Sequence, residues 1–125
     1  MMLNYGIIGT GMMGCEHIRN LKKISDVNIS AIADPNENSR QWGMNACGGS
    51  FKPQQYSDYK ELLKREDIDV VVVASPNFTH IDVMRDIFDT DKHVLLEKPM
   101  CTNLEDGLEV LEKSKKFREI ESLCC

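Results

Sequence analysis

No stretch of this 125-residue chain stays apolar for longer than Val70 to Ala74, which is far too short for a membrane-spanning helix. Positive charge is also scarce: 15 Lys and Arg stand against 20 Asp and Glu, for a net charge of −5. The lysines are scattered among acids, so no basic face exists for a phosphate backbone and nucleic acid is excluded as a partner. Internal repeats and low-complexity segments are missing, which excludes solenoids and disordered linkers. Strand-like sequence begins within a few residues of Met1 and leaves no room for a charged and apolar leader, so the expected compartment is the cytoplasm. Cysteine patterns are missing too. Cys15, Cys47, Cys101, Cys124 and Cys125 form no C-x-x-C and no Cys/His spacing for zinc, and an odd count fits reduced thiols; no metal site is expected. What remains is the composition of an ordinary globular protein, 42% hydrophobic and 28% charged. A chain of this length makes one domain that buries about two thirds of its unfolded surface.

Within that background one stretch stands out, Gly6-Ile7-Ile8-Gly9-Thr10-Gly11-Met12-Met13-Gly14. Leu3 to Ile8 is aliphatic enough for a buried parallel strand, and Gly14, Ile18 and Leu21 follow at i, i+4, i+7 on one face of a helix. Each glycine of Gly9-x-Gly11-x-x-Gly14 has a task. Gly9 permits the tight turn, Gly11 has no Cβ to hold a pyrophosphate away, and Gly14 lets the helix pack close to the strand. The unpaired N–H groups around Met12 and Met13, with the helix dipole, hold the anion without a basic side chain. Asp34 closes the next strand, Val27 to Ala33, at the usual distance of about 20 residues from the last glycine. Its carboxylate would accept hydrogen bonds from the ribose hydroxyls and select NAD, because a 2′-phosphate meets a like charge. The competing reading makes Asp34 the N-cap of a helix with Pro35 at its first position. NADP stays open as well, since Asn36, Asn38 or Arg40 could lie near a 2′-phosphate.

The rest of the chain alternates strand and helix. A helix from about Asn36 to Cys47 ends at Gly48-Gly49, and a short third strand is expected around Ser50 to Lys52, limited by Pro53. Asp58 and Glu61 have capping-box spacing for a helix with Tyr59, Leu62 and Leu63 on its apolar face. Val70 to Val73 is a continuous β-branched run, the pattern of a central parallel strand. It ends in Ser75-Pro76-Asn77-Phe78-Thr79-His80, a loop placed at the switch point of a doubly wound sheet. There Ser75, Pro76, Asn77 and His80 would line the cofactor near the nicotinamide. Asn77 and Thr79 could instead merely cap the next helix, and His80 could simply be packed. His93 to Leu96 makes a fifth strand that delivers Glu97-Lys98-Pro99 to the same edge. Thr102-x-x-Glu105 is a capping box for a last helix with Leu104, Leu108 and Leu111 on one face. The expected fold is α/β, a doubly wound, mostly parallel, Rossmann-like sheet.

With Gly9-Thr10-Gly11-Met12-Met13-Gly14, Ala33-Asp34-Pro35, Ser75-Pro76-Asn77-x-x-His80 and Glu97-Lys98-Pro99 in order, the chain resembles the glucose-fructose oxidoreductase, inositol dehydrogenase and MocA family. The match runs from about Leu3 to Phe117, the family's N-terminal domain. The resemblance implies an NAD(P)-dependent oxidoreductase that moves a hydride between a carbinol carbon, often in a sugar or cyclitol, and nicotinamide. It makes Lys98 the catalytic lysine that meets the reacting hydroxyl and assists proton movement. It makes Gly9, Thr10, Gly11, Met12, Met13, Gly14, Asp34, Ser75, Pro76, Asn77, His80, Glu97 and Lys98 the cofactor-binding set. Pro99 matches a turn that fixes the lysine.

The family continues through a sixth strand into a second α/β domain, which supplies the substrate pocket, a second proton-transfer group and usually the oligomer interface. Residues 1–117 read as the dinucleotide-binding domain. Residues 118–125 are charged, short and off-pattern, so the sheet is expected to stop before its last strand and the second domain is absent. A sugar or polyol substrate, and a homo-oligomer, are expected only of a longer form. Two other readings remain: a dinucleotide-binding module without chemistry, and a truncated, inactive fragment.

Overall fold

Four consecutive valines at the centre of the chain form the middle of the sheet. In the computed structural model, which describes residues 2–98, 101–114 and the backbone of 120–122, they are β4 (Val70–Val73). Val71 and Val73 are buried on one face and Val72 on the other, so a strand without alternation is covered on both sides. β4 pairs in parallel with β1 (Leu3–Ile8) and β5 (His93–Leu96); β1 pairs in turn with β2 (Val27–Ala33), and β2 with β3 (Gln54–Tyr56). A sixth strand, β6 (Ile120–Ser122), pairs in parallel with β5, and the order is β3-β2-β1-β4-β5-β6. The expectation of a sheet that stops before its last strand is therefore corrected. A three-residue edge strand is too short to display a period, and pairing with β5 creates it.

The helices lie on both faces. α1 (Met12–Leu21) and α2 (Glu37–Cys47) send Cys15, Ile18, Leu21, Ala46 and Cys47 against Ile7, Ile29, Ile32 and Val72. On the other face α3 (Tyr59–Leu63), α4 (His80–Ile87) and α5 (Leu104–Ser114) pack Leu62, Val83, Met84, Ile87 and Val110 against Ile8, Ala33, Val71, Val73 and Leu96. Each fully buried aliphatic side chain stabilises the fold by about 2 kcal/mol. β1 and β4 are adjacent and their following helices lie on opposite faces, so a crevice opens between their carboxyl ends.

Several local expectations shift. The third strand begins at Gln54, after Pro53 rather than before it; proline has no N–H for the ladder and precedes the first paired residue. α2 is capped by Asn36, whose Oδ1 accepts from Ser39 N–H at 3.1 Å, so Asp34 is not its N-cap. α3 is capped by Asp58 as expected, through Lys60 N–H at 2.9 Å. α5 is capped by Asn103, which accepts from Asp106 N–H at 2.8 Å, and not by Thr102. Its leucine face is also not a core face: Val110 is 1% exposed, whereas Leu104, Leu108 and Leu111 are 78%, 55% and 51% exposed. The expectations for Pro99, Phe117, Cys124 and Cys125 lie outside the described residues.

Candidate functional site

The turn after β1 is built by contacts that only glycine allows. Gly9 has φ +92°, and a Cβ there would lie 2.5 Å from Ser75 N and 2.6 Å from the Ala74 carbonyl carbon. The first turn of the chain thus presses directly on the end of β4. A Cβ on Gly14 would lie 1.9 Å from the Gly9 carbonyl oxygen, so α1 rests on the turn that precedes it. A Cβ on Gly11 would meet nothing within 4 Å. That empty space is the cleft itself.

α1 has Gly11 as its N-cap with no side-chain cap, and its first turn holds no acidic residue. The N–H groups of Met12 and Met13 precede the first intrahelical bond, from Cys15 N–H to the Gly11 carbonyl at 3.0 Å. With the dipole of the helix behind them, they form an anion site at the mouth of the crevice. The crevice encloses about 850 Å³ and is lined by Gly9, Gly11, Met12 and Met13, by Asp34 and Asn36, by Ser57, Asp58 and Tyr59, and by Ser75 to Thr79. Asp34 is half-buried on its β2 side, where Oδ2 accepts from Thr10 N–H at 3.0 Å and Oδ1 from Asn36 N–H at 2.9 Å. Two backbone donors fix the carboxylate, and each oxygen keeps a free lone pair for a hydroxyl. Arg40 donates to the Asp34 carbonyl at 2.7 Å and is engaged there rather than in the crevice.

Three residues expected at the cofactor face elsewhere. Thr10 is fully buried: its backbone N–H is taken by Asp34, and its Oγ1 donates to the Ser39 carbonyl at 2.7 Å, stapling the turn to α2. His80 is fully buried at the start of α4, and its Nε2 donates to the Ser75 carbonyl at 3.0 Å. It shapes the β4–α4 loop from beneath, helped by Thr79 Oγ1, which donates to the Pro76 carbonyl at 2.6 Å and accepts from Ser75 Oγ at 2.7 Å. Glu97 is 7% exposed and does not line the crevice; its carboxylate is bound to His17. In each case the polar group is engaged by a backbone carbonyl, backbone N–H or imidazole of the protein itself. Lys98 is exposed at the end of β5, outside the walls of the crevice.

Other lining residues were not anticipated as site residues. Ser57, Asp58 and Tyr59 follow β3, and in a parallel sheet every strand-to-helix loop opens at the same edge, so topology is the signal that finds them. Tyr59 donates to the Asp86 carboxylate, and burial, followed by that bond, pushes its phenol well above the ordinary range. Phe78 is 73% exposed on the crevice rim.

The sequence family described as an oxidoreductase family with an NAD-binding Rossmann fold, GFO_IDH_MocA, matches residues 3–120. The chain belongs to that family. It is 31% identical over 117 residues to inositol 2-dehydrogenase of Salmonella paratyphi B, covering 93% of this chain and 34% of the relative. It is 33% identical over 114 residues to myo-inositol 2-dehydrogenase of Thermotoga maritima, covering 91% of this chain and 33% of that protein. Among solved structures, myo-inositol dehydrogenase from Lactobacillus casei, in complex with NAD(H) and myo-inositol, superposes with a TM-score of 0.89 at 29% identity. That match covers 98% of this chain and 36% of the other. The chain therefore spans about a third of the length of the relatives it matches. The open Cβ direction at Gly11, the uncapped helix start and the spare lone pairs of Asp34 all fit NAD, the cofactor of this oxidoreductase family. Among the described residues no group of three or more His, Cys, Asp or Glu could hold a metal ion, and no helix is long and apolar enough to cross a membrane.

Proposed function

We propose that this chain holds NAD in the crevice between β1 and β4. As part of a longer polypeptide, it would serve hydride transfer between the nicotinamide and a secondary alcohol of a polyol or sugar. The observation that carries this reading is the uncapped start of α1 at Gly11, facing a carboxylate fixed at the end of β2. In this reading the N–H groups of Met12 and Met13 take the pyrophosphate, and Asp34 takes the adenosine ribose hydroxyls. Ser75, Pro76 and Asn77 form the wall toward the nicotinamide. Bound NAD supplies the hydride acceptor. Lys98, delivered by β5 to the same edge of the sheet, would hold the substrate hydroxyl and pass its proton.

The polyol class is suggested by the inositol dehydrogenases that this chain resembles at 31% and 33% identity. Those relatives extend over about three times the matched length, and in this reading the substrate pocket belongs to the part not matched here. The test has two arms. Calorimetric titration of the chain with NAD is expected to show binding at one site, stronger than with NADP. Incubation of the chain with NAD and myo-inositol is expected to yield no NADH. Absent NAD binding would overturn the proposal, and NADH formation would overturn the assignment of the substrate pocket to a further domain.

A further inference from the structure

We propose that His17 is a positioning residue for Lys98 and acts through Glu97. The inference rests on the reading of Lys98 as the lysine that handles the substrate proton. His17 lies on α1, the helix whose start faces the crevice, and Glu97 directly follows β5. Their side chains are 13% and 9% exposed, and His17 Nε2 is 2.7 Å from Glu97 Oε2. A carboxylate has no proton to give, so Nε2 carries the hydrogen and donates it. The other oxygen, Oε1, accepts from the backbone N–H of Lys98 at 3.2 Å, and the Glu97 N–H donates to the Val73 carbonyl at 2.9 Å. The carboxylate is thereby held on one oxygen by the helix that begins at the glycine turn and on the other by the amide of the lysine.

Packing alone does not account for the pair. Two aliphatic side chains of similar volume would join α1 to β5 without the desolvation cost of a buried carboxylate. What the ionisable pair adds is direction, because the imidazole fixes the rotation of the carboxylate and so the place of the Lys98 amide. Among the described residues, this bond is what ties the lysine's backbone to the Glu97 carboxylate. Without the imidazole, Glu97 is free to turn toward solvent and Lys98 loses its acceptor. The same α1 would then no longer register the lysine against the phosphate site.

The test is amide hydrogen exchange of the isotopically labelled chain, alongside NAD titration, for the wild type, His17→Phe and His17→Gln. In His17→Phe the Lys98 amide is expected to exchange roughly tenfold faster, while the amides of Val72 and Leu96 exchange as in the wild type. In His17→Gln, whose side-chain amide donates to Glu97, protection of Lys98 is expected to return. Unchanged Lys98 exchange in a folded His17→Phe, or a failure of glutamine to restore it, would overturn the proposal. Should His17→Phe not fold, Glu97→Ala is read instead, with faster Lys98 exchange expected and unchanged exchange overturning the proposal. Absent NAD binding by the wild-type chain overturns the cofactor reading separately, because the exchange measurement does not depend on it.

Discussion

Replacing the three glycines of the turn by alanine, one at a time, is expected to divide them into two kinds. At Gly9 the added Cβ meets Ser75 N at 2.5 Å and the Ala74 carbonyl carbon at 2.6 Å, with φ at +92°. Left-handed backbone costs an L residue about 1 to 2 kcal/mol, and overpacking against backbone adds about 1 to 3. Gly9→Ala should therefore lose about 2 to 5 kcal/mol of stability. At Gly14 the Cβ would lie 1.9 Å from the Gly9 carbonyl oxygen, so α1 must shift off the turn, at a cost of about 2 kcal/mol or more. Gly11 is different. Its φ of −76° suits alanine and its Cβ meets nothing within 4 Å, so folding should change by less than about 1 kcal/mol, in either direction. The new methyl instead projects into the space assigned to the pyrophosphate. Urea unfolding with and without NAD separates the two effects. At a hundred times Kd, NAD should add about 2.7 kcal/mol to the wild type; a tenfold weaker Gly11→Ala would gain only about 1.4 at the same concentration. A Gly11→Ala protein that keeps the full NAD increment would refute the placement of the phosphates, and one that unfolds early without ligand would refute the open space at its Cβ. A Gly9→Ala protein as stable as the wild type would refute the packing argument.

Asp34→Ala is expected to weaken NAD and to narrow its advantage over NADP, read by calorimetry with both; an unchanged ratio would reduce Asp34 to a brace for Thr10 and Asn36. Glu109 is pushed down to about 2 from 4.5, chiefly by its bond to Arg85 and then by Lys113. A depressed carboxylate contributes stability above its unfolded value, about 4.5, and loses that contribution as the pH falls toward 2. Arg85→Met should therefore raise the Glu109 titration midpoint, followed by carboxyl NMR, and bring acid unfolding to higher pH. Superimposable curves would show that the bond between α4 and α5 carries nothing in solution. Burial pushes the Cys47 thiol up to about 11 and raises Cys15 as well, so neither should be alkylated at pH 8 until the chain unfolds, as mapped by mass spectrometry. Ile32→Ala, fully buried under α1 and α2, should cost about 3 kcal/mol, whereas Leu108→Ala, 55% exposed, should cost less than about 0.5. A large loss at Leu108 would place the leucine face of α5 in the core after all.

The parts of this protein that its sequence determined by itself are those set by neighbours a few residues apart. Three glycines at fixed spacing, an apolar strand before them and an amphipathic helix after them specify a tight strand-to-helix turn, because backbone sterics act locally. Four valines in a row imply burial on both faces, and the regular alternation of strands and helices implies a parallel sheet with its loops at one edge. Tertiary structure decided the direction of the polar side chains. Thr10 turned inward because the Ser39 carbonyl, 29 positions away, reached it; His80 bent under its own loop; Glu97 met His17 across 80 positions. It also decided that α5 would bury Val110 and leave its leucines outside, and that Ile120 to Ser122 would become a strand. Spacing specifies backbone, whereas the partner of a polar or edge group is whichever part of the chain packing brings within hydrogen-bonding reach.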